Sequence, residues 1–329
     1  MNNSNDKKKK FKLFDVNRDG KGVYEVESRK PTLGFFFKLF FRKFSQLLKL
    51  NLLMLFMVLP VLVFIGIYFL GNKTPTATAV TFAPLYGISN VANIPGATNL
   101  LDLSSIQMEI PAFTPLTNFV IIGLFLFMAI TWGWQNVGSA YVLRGLFRGD
   151  AVFVFSDYIY GIKRNFKQAF FLGLVDFACT AMLVIDFMFF YGQTGSFKFD
   201  FMYFATLAMI IIWIMMRFYM YNLLVTFNLK NFKIIKNSLI FSILGIKRNV
   251  LGLLGVVLLI VLHILLIVLL LPYGLAAVLV IPFLYIIAAI GFIGTYSAFP
   301  VIQKYMIDPY DNGNTAETLD EDAETPAKE

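Results

Sequence analysis

The segment VLGLLGVVLLIVLHILLIVLLL, residues Val250 to Leu271, runs for 22 residues without a formal charge. At ~1.5 Å per helical residue it is long enough to cross a hydrocarbon core of ~30 Å. Five further runs have the same character: Leu48 to Leu70, Asn118 to Gly138, Ala169 to Gly192, Phe201 to Thr226 and Leu275 to Thr295. Six spans predict an all-α polytopic membrane protein. The composition agrees, because 58% of the 329 residues are hydrophobic and only 15% are charged, against about 25% charged in soluble domains.

Charge placement sets the expected orientation. Of the 28 Lys and Arg residues, 13 precede the body of the first span, 5 lie between Gly138 and Gln168, 5 between Phe227 and Asn249, and 2 in the C-terminal tail. Only Lys73 and Lys198 fall in the alternate loops, and Arg217 lies inside the fourth span. Positively charged loops stay cytoplasmic, so both termini are expected inside. A net charge of +8 therefore points to anionic lipid headgroups and not to nucleic acid. No cleavable signal peptide is expected, since a long charged segment precedes the first apolar run.

Residues 1–34 read as a cytoplasmic N-terminal segment, 35–307 as the membrane domain and 308–329 as a disordered tail with eight acidic residues. Within the membrane domain, 35–47 is predicted to be an interfacial helix. Lys38, Arg42, Ser45 and Lys49 form a polar stripe among Phe35, Phe36, Phe37, Phe40, Phe41 and Phe44. Residues 71–117 form a long outer loop, and Asn72-Lys73-Thr74 there has the form of a glycosylation sequon.

One pentapeptide occurs twice, as Gly161-Ile-Lys-Arg-Asn165 and Gly245-Ile-Lys-Arg-Asn249, each directly before an apolar run. Phe41-Arg42-Lys43-Phe44 is a looser relative before the first span. The arrangement predicts three helical hairpins, each entered through an amphipathic helix. Arg42, Lys43, Lys163, Arg164, Lys247 and Arg248 become the candidate patch for lipid headgroups or a cytoplasmic partner.

Ionisable residues within spans are costly and mark candidate functional sites. Asp176, Arg217 and His263 form the candidate intramembrane polar set, with Asp176 and Arg217 at depths that permit pairing; Asp186 lies nearer the outer surface. A buried pair would fix the packing of spans three and four, and a pair in a water-filled cavity would instead serve a substrate or proton. The lone His263 lacks a second His for a metal site, and Cys179 is the sole cysteine. No GxSxG, GxxxxGK[ST] or HExxH occurs, so no catalytic residue, metal or cofactor is expected. Asp15-Val-Asn17-Arg-Asp19-Gly20 starts like a calcium loop, but Val26 stands where a bidentate Glu is needed. Trp132 and Trp134 suit an aromatic belt, while Gln135, Asn136, Gly138 and Ser139 suit either a cavity wall or close helix packing. Pro60 and Pro282 mark expected bends.

Several motifs carry a family resemblance. Phe82-Ala-Pro-Leu-Tyr-Gly87, Thr131-Trp-Gly-Trp-Gln-Asn136, Tyr141-Val-Leu-Arg144 and Phe155-Ser-Asp157 are four of them, and Lys163-Arg-Asn-Phe-Lys-Gln168 follows. Met216-Arg-Phe-Tyr219, Lys236-Asn-Ser-Leu-Ile240, Pro300-Val-Ile-Gln-Lys-Tyr-Met-Ile-Asp-Pro309 and Gly20-Lys21-Gly22-Val23 complete the set. Together they resemble the YesL-like family of bacterial integral membrane proteins, especially its longer Gram-positive members. Gly149-Asp150 departs from the more acidic continuation common there. Such members are frequently encoded beside carbohydrate importers of the ABC type, so the resemblance implies a sugar-uptake or cell-envelope context, and it supplies no catalytic residues. The resulting expectation is a non-catalytic accessory, assembly or regulatory component of carbohydrate uptake or the cell envelope. The alternative is a small transporter or channel with a polar pathway between the hairpins.

Overall fold

The computed structural model describes residues 31–75, 109–193, 195–270 and 273–309. The Asp15 to Gly20 motif, the Gly20 to Val23 segment, the Phe82 to Gly87 motif and the tail beyond Pro309 lie outside the described residues. The helices are α1 (Leu33–Arg42), α2 (Phe44–Leu70), α3 (Pro115–Arg148), α4 (Val154–Arg164), α5 (Phe166–Tyr191), α6 (Phe197–Thr226), α7 (Asn231–Leu244), α8 (Ile246–Leu270) and α9 (Ile281–Ile302). A 3-10 turn at Ala276–Leu279 precedes α9, and a π turn at Gln303–Ile307 follows it. Two short antiparallel strands, Lys73–Pro75 and Glu109–Pro111, pair with each other between α2 and α3.

Six helices are long and apolar enough to cross a membrane: α2, α3, α5, α6, α8, and α9 with its flanking turns. The protein is therefore an all-α polytopic membrane protein. Helices α1, α4 and α7 precede α2, α5 and α8, which gives three led-in hairpins. Centrally, α3 packs on α2, α4, α5, α6 and α9, and α9 in turn packs on α2, α6 and α8.

Two helices outrun their expected spans. Of these, α3 has 34 residues and α6 has 30, or ~51 and ~45 Å, so each must tilt or project beyond the hydrocarbon. Past Gly138, α3 continues because Val142, Leu143, Leu146 and Phe147 are buried against protein. It ends at Gly149, whose φ of 79° favours glycine.

Packing is concentrated at the end of the bundle that carries the basic clusters, hereafter the basic end. The buried residues of α3 run from Trp132 to Phe147 and those of α9 from Ala288 to Ile302. Most of those of α6 run from Met215 to Val225. Toward the other end Leu126, Phe119, Met188, Phe204, Leu265 and Leu269 are exposed, as suits a lipid-facing surface. Apolar side chains gain little by leaving lipid for each other, so close backbone approach and polar contacts must hold the helices.

Gly133 and Gly173 supply the closest approach. A Cβ on Gly133 would run into the Ala169 carbonyl, and one on Gly173 into the Gly133 backbone. Asn51, fully buried on α2, clasps α9 by donating from Nδ2 to the Phe283 carbonyl (2.6 Å) and accepting the Ala288 N–H at Oδ1 (2.9 Å). Pro282 does not bend the sixth span. It occupies the first turn of α9, where its missing N–H costs no helical bond.

The repeated pentapeptides do not break at the same residue. The first interrupts the helix at Asn165 and the second at Gly245. What they share is a glycine against a tyrosine, Gly161 on Tyr141 and Gly245 on Tyr219, and an asparagine that satisfies carbonyls at the break. Asn165 Nδ2 donates to the Gly161 carbonyl, and Asn249 Nδ2 donates to the Phe241 and Ser242 carbonyls.

Replacing Gly173 by Ala should therefore overpack the α3–α5 contact, at a cost of about 1–3 kcal/mol. The expected result is a lowered melting midpoint in detergent. Gly66→Ala, where nothing lies within 4 Å of the added carbon, should leave the midpoint unchanged or raised.

Candidate functional site

Asp176 lies on α5 with no exposed surface. A carboxylate there needs several donors, and three helices provide them. On Oδ2 it accepts Trp132 Nε1 from α3 and the Tyr221 hydroxyl from α6, each at 2.7 Å. On Oδ1 it faces Arg217 Nε of α6 at 3.1 Å, an ion pair without the alignment of a hydrogen bond. Thr180, one turn along α5, approaches Oδ1 at 3.5 Å and itself accepts Trp213 Nε1 at 3.0 Å. The Arg217 guanidinium also sits over the Trp132 ring at 5.2 Å. The expected Asp176–Arg217 pair is thus formed. Trp132 is not a belt residue, because its indole is buried and its N–H belongs to the carboxylate. Trp134 is half-buried, stacking on the exposed Phe166 at 4.5 Å and donating to its carbonyl.

On its other side Arg217 is 27% exposed and forms part of the wall of a cavity of about 200 Å³ between α2, α3, α6 and α9. The polar wall comprises Arg217, Tyr221 and Asn222 from α6, Asn136 and Ser139 from α3, and Thr295 from α9. On each helix the residue nearer the basic end is buried and the one farther away is half-buried. The pairs are Met54 and Met57, Ser139 and Asn136, Asn222 and Arg217, and Thr295 and Ile290. The cavity is therefore closed toward the basic end and opens toward the other. In its floor, Asn222 donates from Nδ2 to the Phe218 carbonyl at 2.7 Å and to Thr295 Oγ1 at 3.3 Å, while its Oδ1 has no partner.

His263 does not join this group. It is buried between α8 and α9, with Nδ1 2.7 Å from the Leu259 carbonyl and Nε2 2.8 Å from the Tyr285 hydroxyl. The carbonyl can only accept, so Nδ1 carries the proton and Nε2 accepts from Tyr285. No acidic residue is among its hydrogen-bond partners. Asp186 is half-buried on α5 and apart from the carboxylate cluster. Among the described residues no group of His, Cys, Asp and Glu is suited to a metal ion.

The candidate basic patch divides in two. Arg42, Lys163, Arg164 and Lys247 are exposed, joined by Lys167, Lys230, Lys233 and Lys236. Arg248 turns inward instead, donating from Nη2 to the Pro31 carbonyl at 3.3 Å beside Tyr296, whose hydroxyl donates to the Thr32 carbonyl. Lys43 is half-buried at the break between α1 and α2, where burial and then neighbouring Arg42 lower its ammonium pKa. Nearby on α4, burial against Gly138 pushes the Tyr158 phenol pKa up. No family model matches the chain, nor does any curated protein or solved structure.

Sequence reasoning found both charges but missed Trp132, Tyr221, Asn51 and Asn222 as polar partners. Asn136 and Ser139 were legible as a possible cavity wall because small polar residues cluster there. Hydrogen bonds to an ionised carboxylate are worth about 1.5–3 kcal/mol. Trp132→Phe and Tyr221→Phe should each lower stability by about that amount in thermal or denaturant unfolding in detergent. Thr180→Val, at the longer distance, should cost distinctly less.

Proposed function

We propose that the protein is a non-catalytic component of a bacterial plasma membrane, serving carbohydrate uptake or the cell envelope in an accessory, assembly or regulatory role. Its basic end faces the cytoplasm, following the asymmetric placement of Lys and Arg. The observation that carries this reading is the Asp176–Arg217 ion pair, in which the fully buried carboxylate is neutralised within helix packing while Arg217 also borders the cavity. His263 is likewise engaged by neutral groups. Neither arrangement supplies a general base facing a substrate. The exposed cations of α4, α7 and the start of α8 form the contact surface for anionic headgroups or a partner such as an ABC-type importer component. The importer context derives from the resemblance to the YesL-like family.

The transporter reading keeps one supporting observation, the polar cavity with Arg217 in its wall.

Affinity purification of tagged protein in mild detergent tests the proposal, using wild type and the Lys163→Glu, Arg164→Glu, Lys247→Glu triple variant. Stoichiometric recovery of importer subunits with wild type, lost in the correctly inserted variant, is the expected outcome. Recovery of the protein alone in both cases, together with solute flux in proteoliposomes that Arg217→Met abolishes, would replace the proposal with the transporter reading.

A further inference from the structure

Three tyrosines mark corresponding places on the three central helices. Tyr141 of α3 packs on Gly161 in the last turn of α4, Tyr219 of α6 packs on Gly245 just past α7, and the Tyr296 hydroxyl of α9 donates to the Thr32 carbonyl just before α1. Helices α3, α6 and α9 pack on one another around the cavity. Two residues before each tyrosine stand Ser139, Arg217 and Gly294, and all three line it. At this level α3 and α9 contribute small residues, and α6 alone contributes a long cationic one. The space beside Arg217 therefore depends on its two small counterparts.

The terminal nitrogens of Arg217 are unanswered. Its contact with Asp176 runs through Nε, which has no accessible surface. Nη1 and Nη2 make no hydrogen bond among the described residues and, unlike Nε, keep accessible surface. Trp132 covers one face of the guanidinium and Asp176 its Nε edge, so these nitrogens border the cavity that Arg217 lines. Other donors of the wall are spent within the protein. Asn136 Nδ2 donates to the Trp132 carbonyl, Asn222 Nδ2 to the Phe218 carbonyl, Ser139 to the Asn136 carbonyl and Tyr221 to Asp176. A guest must therefore bring acceptors to the Arg217 fork.

Two oxygens in one plane match that fork, and bonds between charged partners are roughly twice as strong as neutral ones. Asp176 does not forbid an anion there. It sits on Nε, away from the terminal pair, and Coulomb energy falls with distance, so the nearer guanidinium outweighs the farther carboxylate. Charge beyond a single negative would find no second cation in the wall. Met57, Ile214, Ile287 and Ile290 are half-buried around the cavity and suit a hydrocarbon body. At ~30 Å³ per water molecule, the volume of about 200 Å³ exceeds one bridging water several-fold and restricts the guest to a small group.

We infer that this cavity binds a singly charged carboxylate with an apolar body, either a free short-chain acid or the head of a fatty acid from the bilayer, held on Nη1 and Nη2 of Arg217. The site goes beyond the accessory reading and does not rest on it, since importer recovery and carboxylate binding are read in separate assays and each can fail alone.

The test uses the full chain in phosphatidylcholine nanodiscs at neutral pH, followed by tryptophan fluorescence, because Trp132 stacks on Arg217. One arm adds hexanoate to the solution, and a second titrates oleic acid into the disc lipid. Hexanamide replaces the carboxylate by a neutral amide in a third arm, and phosphatidylglycerol supplies a lipid phosphodiester in a fourth. Two variants accompany wild type. Arg217→Lys keeps the charge and removes the fork, and Ile287→Phe narrows the half-buried wall without touching a polar contact.

Saturable binding of hexanoate or oleic acid is the expected result, at least tenfold tighter than hexanamide and weakened at least tenfold by both variants; the responding arm names the source. If Arg217→Lys does not purify as a single species, Ile287→Phe carries the same comparison. Four results would overturn the inference: no saturable response to either acid, which leaves a water-filled cavity; hexanamide binding as tightly as hexanoate; binding that Ile287→Phe does not alter; or tighter binding of phosphatidylglycerol than of both acids.

Discussion

A fully buried carboxylate governs this structure. Asp176 is inaccessible to solvent on α5, and its ionised form is tolerable only if the surrounding helices bring donors to it. Trp132 fixes α3 against α5, while Tyr221 and Arg217 fix α6 against both. The glycine pair at Gly133 and Gly173 brings the α3 and α5 backbones together beside this cluster. Removing apolar side chains from lipid supplies little driving force, so such polar and steric constraints select one helix arrangement from many. Asn51 performs a comparable task between α2 and α9, and Asn249 between α7, α8 and Tyr219.

These constraints gather at the basic end, and that distribution shapes the protein's two faces. The packed end buries the inner lengths of α3, α6 and α9 and displays lysines and arginines around its margin. Toward the other end, apolar residues spread into the lipid and the central helices leave a cavity whose floor is the packed core. On the proposed reading, the cationic margin is the contact surface. The two surfaces are linked by α6, which carries Arg217 and Asn222 in the cavity and ends at the basic margin.

The six spans were legible in the sequence because hydropathy reports directly on lipid exposure. The Asp176–Arg217 pairing was also legible, since depth along a span can be counted from residue number. The length of α3 was not, because residues beyond Gly138 are buried by protein and their hydropathy does not mark where the membrane ends. Trp132 resembled an interfacial aromatic by position, and only the tertiary approach of α5 gives its N–H another partner. Arg248 resembled a surface cation for the same reason, yet packing draws it to the Pro31 carbonyl. The repeated pentapeptide drew notice for its lysine and arginine, whereas its glycine and asparagine make the internal contacts.

The central claim is that Asp176 and Arg217 act as one structural unit. A double-mutant cycle in detergent unfolding, with Asp176→Leu, Arg217→Met and the combined variant, tests it most directly. Removing either partner leaves a charge without its counter-ion, so each single variant should be less stable than the combined one, with a coupling of about 3 kcal/mol. If the combined loss equals the sum of the single losses, the two charges are independent and the account fails.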